Sequence, residues 1–164
     1  MIHVVVGDLA REAVDAVLRP ARSDLAAVDP SAIRLDELGG ASFAAQRRTA
    51  TPLEAGAAVV TGAGELAAGY VLHVVIEDER GPAGPDRIRR ALVSAWQRAG
   101  DWGLSRMAAP LLGVAAGRLT LAEATGLLTE TFPRDADGAR RELRIVVDTA
   151  AERDAVEAIV RRTT

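Results

Sequence analysis

The chain has 164 residues, a mass of 17.2 kDa and 49% hydrophobic residues. This excludes general disorder and suits one well-buried core, so a single domain over 1–164 is expected. The formal charge of −3 gives no electrostatic footing for general nucleic-acid binding, and no apolar run approaches the ~20 residues of a membrane span. Cysteine is absent, which removes disulfides, thiolate metal sites and thiol nucleophiles. Met1–Asp8 has no basic leader character, so a cytoplasmic protein is expected. All 20 basic residues are Arg, and the chain holds neither Lys nor Asn. No lysine can therefore act as a base, and no asparagine can orient a water.

In chain order, Ile2–Val6 is a nearly continuous apolar run ending in Gly7-Asp8, the pattern of a strand buried on both faces. His3 reads as a polar residue near the strand end. Asp8 lies just past the strand, where ligands approach an open α/β sheet, and it can equally cap the short turn Leu9–Glu12. Val14–Leu18 reads as a second strand, and Pro20 in Arg19-Pro-Ala-Arg22 is expected to take the chain out of the sheet. Asp29-Pro30 is a helix start, with Asp as cap and Pro in the first turn. That helix runs toward Leu38 and stops at Gly39-Gly40, and a shorter one follows over Ala41–Arg48.

Gly56–Gly64 and Tyr70–Ile76 read as two strands around a tight glycine turn, with His73 as a core histidine. Pro85 opens a helix whose Ile88, Ala91, Leu92, Ala95, Trp96 and Ala99 fall on one face, with a solvated face of Arg opposite. Leu104–Gly113 is a short strand and loop leading toward another helix, an arrangement that aims N–H groups at an anion. Thr120–Glu123 and Thr149–Glu152 have capping-box spacing. Pro133–Gly138 is rich in turn residues, Glu142–Val147 is the last strand, and Ala155, Val156, Ile159 and Val160 mark a final helix. The alternation predicts a three-layer α/β/α sandwich with a mixed, mostly parallel central sheet. No metal is expected, because two separated His and scattered carboxylates form no ligand-spaced cluster. No cofactor is expected either.

Together these segments resemble the macro domain, a family of ADP-ribose-binding α/β/α modules. The resemblance runs in order through Val4–Leu9, Val14–Leu18, Gly56–Leu66, Tyr70–His73 and Gly103–Gly113. It implies that Asp8 accepts a hydrogen bond from the adenine amino group and that the backbone N–H of Leu9 serves a ring nitrogen. Where the family carries an Asn-Pro/Ala-Ala-Asn motif, this chain has Arg19-Pro-Ala-Arg22. The first phosphate loop is represented by Leu25–Pro30, which has no glycine and contains Ala27 and Val28. The second is Leu112–Arg118, in which Gly113 and Gly117 remain, with Val114, Ala115 and Ala116 between them and Arg118 after them.

Ala115 stands where the family has a glycine. If that position needs φ > 0, an L-residue pays about 1–2 kcal/mol there and the loop relaxes away. Arg22 stays charged and is a poor general base, so Asn-dependent hydrolysis is not expected. Arg22 can instead neutralise a phosphate or fill the distal pocket. The resemblance implies a module for ADP-ribose or a related adenine nucleotide, free or as an ADP-ribosylated macromolecule, with no membrane partner. Two alternatives stand beside it: an atypical ADP-ribosyl hydrolase, and a degenerate domain kept for protein contacts. The oligomeric state is left open.

Overall fold

The computed structural model describes residues 1–48, 52–134 and 140–164. Seven strands form one sheet: β1 (Ile2–Val6), β2 (Ala16–Arg22), β3 (Ala58–Gly62), β4 (Tyr70–Asp78), β5 (Gly81–Pro82), β6 (Arg106–Ala109) and β7 (Glu142–Val147). Four helices accompany them: α1 (Pro30–Gln46), α2 (Pro85–Asp101), α3 (Leu121–Thr131) and α4 (Ala150–Thr163). The spatial order is β1-β7-β6-β2-β4-β3, with β5 on β4. The first five strands of that order run parallel, and β3 and β5 are antiparallel to β4. The expected mixed, mostly parallel sheet is present.

Alternation along the strands divides the core into two layers. Leu18, Leu72, Met107, Leu143 and Ile145 face α2, α3 and α4 through Ile88, Leu92, Leu128 and Val156. Val17, Val71, Ala108 and Val146 face the other way, toward Leu35 and Phe43 of α1 and the short 3-10 turn Leu9–Arg11. Asp29 caps α1 by accepting from the Ala32 N–H at 3.0 Å, and Thr120 and Glu123 close a reciprocal capping box on α3. The break at Gly39-Gly40 is a kink at Gly40, φ 71°, between two helical pieces.

Five expectations need correction. β1, expected to be buried on both faces, is an edge strand with His3 and Val6 exposed. Pro20 lies within β2, paired with Val74, and does not end the strand. β2 and β6 pair only at Ala16 and Val17, so the missing Pro20 N–H falls where β2 has lost that neighbour. The β3–β4 connection is a seven-residue loop, Ala63–Gly69, and not a tight turn. Its Gly64, φ 59°, rests against α1, where a Cβ would stand 2.6 Å from the Gly39 carbonyl. Thr149 accepts from the Glu152 N–H, but the Glu152 carboxylate turns to the Thr149 hydroxyl, so only half a capping box forms. The α3 N-terminus, closed by its own box, offers no bare anion site. The turn expected over Pro133–Gly138 lies largely outside the described residues.

Between β2, β4 and α1 lies a buried polar network. Arg19 is fully buried, and its Nε and Nη2 donate to the two carboxylate oxygens of Asp36 at 2.9 and 3.0 Å. Its Nη1 donates to the Leu25 carbonyl at 2.8 Å and meets His73 Nδ1 at 3.2 Å. Since the guanidinium only donates, Nδ1 accepts and the His73 Nε2 proton goes to Thr61 Oγ1 at 2.8 Å. Arg47 also pairs with Asp36, and its guanidinium lies 4.6 Å from the Phe43 ring centre. Phe43 stacks in turn on His73.

Burial, together with the Arg19 and Arg47 charges, pushes the His73 pKa down to about 3. The folded chain therefore keeps His73 neutral while the unfolded chain takes up a proton below about pH 6.5. Stability is complete above that pH and falls by about 1.4 kcal/mol per unit below it. Urea unfolding at pH 7, 6 and 5 should show a loss of about 2 kcal/mol across the series. His73→Gln, which retains an acceptor and a donor, should flatten it.

Candidate functional site

The carboxyl ends of the parallel strands carry two neighbouring clefts. The larger, about 510 Å³, lies over the ends of β1, β7 and β6, and includes Gly7, Asp8, Leu9, Pro110, Val147 and Asp148. The smaller, about 110 Å³, lies over the ends of β2 and β4, between Arg22, Glu77, Val28 and Arg118. Two loops border both clefts. Asp29 and Ala115 face the larger one, while the adjacent Val28 and Ala116 face the smaller one. A ligand occupying both would cross between these loops.

In the larger cleft, Asp8 stands where β1 ends. One carboxylate oxygen accepts from the Ala10 N–H at 3.1 Å, and the other accepts from Arg34 Nη2 at 2.8 Å. Arg11 stands 3.4 Å from that second oxygen. The Arg34 hydrogen bond holds the Asp8 carboxyl below its ordinary range, against desolvation and with help from the Ala10 N–H. Asp8 is thus an ionised, acceptor-only group at neutral pH. The carboxylate both caps the turn and lines the cleft. The Leu9 N–H meets no protein acceptor among the described residues.

Two N–H groups at the start of the first loop are turned inward. The Leu25 N–H goes to the Arg22 carbonyl at 2.8 Å, and the Ala26 N–H to Asp24 Oδ1 at 2.9 Å. The Ala26 carbonyl accepts from the Arg22 N–H at 2.9 Å. Leu25 has φ 67° and a buried side chain. A leucine thus supplies the left-handed residue of this glycine-free loop, with its carbonyl held by Arg19.

The second loop is hinged on its two glycines. Gly113 has φ 82° and Gly117 φ 70°, whereas Ala115 does not take positive φ. Strain at Ala115, expected if a glycine conformation had been kept, is therefore absent. The Gly113 carbonyl accepts from the Arg118 and Leu119 N–H groups, and the Val114 carbonyl from the Gly117 N–H. The N–H groups of Ala115 and Ala116 meet no protein acceptor among the described residues.

Of the residues read from sequence, Asp8, Leu9, Val114 and Ala115 line the larger cleft, and Arg22, Val28, Ala116 and Arg118 the smaller. Ala27, Gly113 and Gly117 line neither. Ala27 is bridged to Ala21, Gly113 is set against Leu119, and Gly117 shapes the loop. Arg34, Asp148, Glu152 and Glu77 escaped the sequence reading. Asp148 had a signal: β1 and β7 pair in parallel at Val6 and Val147, so the acids following both strand ends reach one site. Arg34 had none, because 26 residues separate it from Asp8. Among the described residues, no group of three or more His, Asp or Glu side chains is placed to hold a metal ion. No helix among them is long and apolar enough to cross a membrane.

The macro domain family pattern matches residues 31–128. The chain belongs to the macro domain family. An uncharacterized protein of Aeropyrum pernix is 29% identical over 82% of this chain and 75% of its own length. An uncharacterized protein of Mycobacterium tuberculosis is 26% identical over 93% of this chain, which spans only 43% of that relative. Among solved structures, the Trypanosoma brucei macrodomain in complex with ADP-ribose superposes with a TM-score of 0.84. It is 24% identical, with 97% of this chain and 68% of that one covered. The macro domain of ganglioside induced differentiation associated protein 2 gives a TM-score of 0.76 at 18% identity, covering 97% and 83% of the respective chains.

The glycines of the second loop are separable by substitution. A Cβ at Gly113 would stand 3.2 Å from Leu119, while at Gly117 it would enter open space. Gly117→Ala should cost about 1–2 kcal/mol, the left-handed penalty alone. Gly113→Ala should cost more because Leu119 must also shift; chemical denaturation of the two variants reads the difference.

Proposed function

We propose that this domain binds ADP-ribose or a related adenine nucleotide, with Asp8 reading the adenine amino group. The observation that carries the reading is the ionised Asp8 carboxylate in the wall of an open, largely apolar cleft at the carboxyl ends of parallel strands. The Leu9 N–H beside it is a donor suited to a ring nitrogen. Leu111, Val114 and Val146 offer apolar surface to a base. The free N–H groups of Ala115 and Ala116, at the passage between the clefts, are donors for the diphosphate. The Trypanosoma brucei macrodomain is bound to ADP-ribose in one crystal and to ADP in another, and shared family membership supports the same ligand class for this chain.

The phosphate contacts differ from those of a glycine-rich pair of loops. The first loop uses its Leu25 and Ala26 N–H groups internally, while the second keeps the Ala115 and Ala116 N–H groups for backbone contacts. Asn-dependent hydrolysis has no residue to perform it. At the position of the second motif asparagine, Arg22 holds Glu77 at 2.8 Å and remains a cation. We read the domain as a binding module.

Asp8→Ala should weaken ADP-ribose binding by about 1.5–3 kcal/mol, the range for a hydrogen bond to a charged group. Calorimetric titration measures the loss, and circular dichroism checks that the variant is folded. Unchanged affinity in folded protein would remove Asp8 from the adenine site.

A further inference from the structure

The smaller cleft has a chemistry of its own. Arg22 Nε lies 2.8 Å from one Glu77 oxygen, and Arg118 Nη2 lies 3.8 Å from the other. Two guanidiniums thus share one carboxylate, leaving a net positive charge beside a hollow of about 110 Å³. Both arginine side chains are open to solvent, at 56% and 41% exposure. Val28, Ile76, Pro82 and Ala116 supply the remaining wall. Among the described residues no neutral amide side chain lines this cleft.

We propose that this cleft is a phosphoryl subsite, and that the preferred ligand is an adenine nucleotide ending in a polyphosphate chain instead of a distal sugar. The inference rests on the adenine-nucleotide reading above and deepens it. A guanidinium presents planar paired donors that match phosphoryl oxygens, while a sugar hydroxyl gains little from a second cation and leaves its charge unanswered. Position agrees with chemistry. From the Asp8 end of the larger cleft, the path runs past the Ala115 and Ala116 N–H groups and arrives between Arg22 and Arg118. The inward-turned first loop gives the same indication, since its Leu25 and Ala26 N–H groups are already spent. The Arg22 and Arg118 side chains are the charged donors on that side to meet further negative charge. Glu77 holds them in place and screens them until the anion arrives.

The test is calorimetric titration of the full chain with ADP, ATP, adenosine 5′-tetraphosphate and ADP-ribose, in a chelating buffer at fixed ionic strength. ATP or the tetraphosphate is expected to bind at least tenfold more tightly than both ADP and ADP-ribose. The ratio of ATP to ADP affinity should collapse toward one in the double variant Arg22→Gln, Arg118→Gln, and should rise severalfold in Glu77→Gln. Tightest binding of ADP-ribose, or an ATP preference that survives the double variant, overturns the phosphoryl subsite and leaves the adenine reading standing. No binding of any of the four overturns both.

Discussion

A full positive charge without solvent, Arg19 in the middle of β2, is the constraint on which the site depends. A buried guanidinium is tolerated only when nearly every donor is answered, and removing one partner of such a pair typically costs about 3–5 kcal/mol. Here the answers come from three separate parts of the chain: Asp36 of α1, the Leu25 carbonyl, and His73 of β4. Satisfying one side chain therefore fixes the distance of α1 from the sheet and the path of the first loop. It also requires His73 to stay neutral as an acceptor. The loop that results borders both clefts, and the helix carries Pro30, Ser31 and Arg34 to the rim of the larger one. A side chain with no exposed surface thus helps set the shape of both clefts.

The two clefts are electrostatically unlike. The larger gathers Asp8, Asp29, Asp148 and Glu152 in a lining that includes Arg34, with Arg11 also at the Asp8 carboxylate, whereas the smaller sets two arginines against Glu77. One end of the groove is rich in acceptors and the other in donors, so an asymmetric ligand with a donor-bearing ring and an anionic tail has one favourable orientation. Polarity of this kind fixes direction more than affinity.

Much of the architecture was legible because local signals and tertiary demands agreed. Apolar runs became strands, Asp29-Pro30 and Thr120–Glu123 became helix starts, and Gly39-Gly40 became a break in α1. Asp8 could be singled out because its place just past the carboxyl end of a strand has meaning in any parallel sheet. Pro20 misled because its cost depends on whether a neighbouring strand reaches that far, and β6 is too short to do so. At Ala115 the loop keeps clear of the left-handed region, as a relaxed loop would, and places its left-handed residues at the glycines it retains. Leu25 could not have been found, since leucine in that conformation is paid for by burial and by a guanidinium elsewhere in the chain. Arg34 and Glu77 join the clefts through folding alone.

The strand order also bears on how the molecule assembles. β1 lies at the sheet edge against β7, with Ile2 opposite Leu143, and the Asp15 carboxylate accepts the N–H groups of Ser105 and Arg106. Pairings this distant must close long loops before they contribute stability, which slows folding. Gly7, Asp8 and Leu9 follow the strand that waits for β7. β1 is therefore made long before the strand it pairs with, and the larger cleft is completed only when β7 is in place.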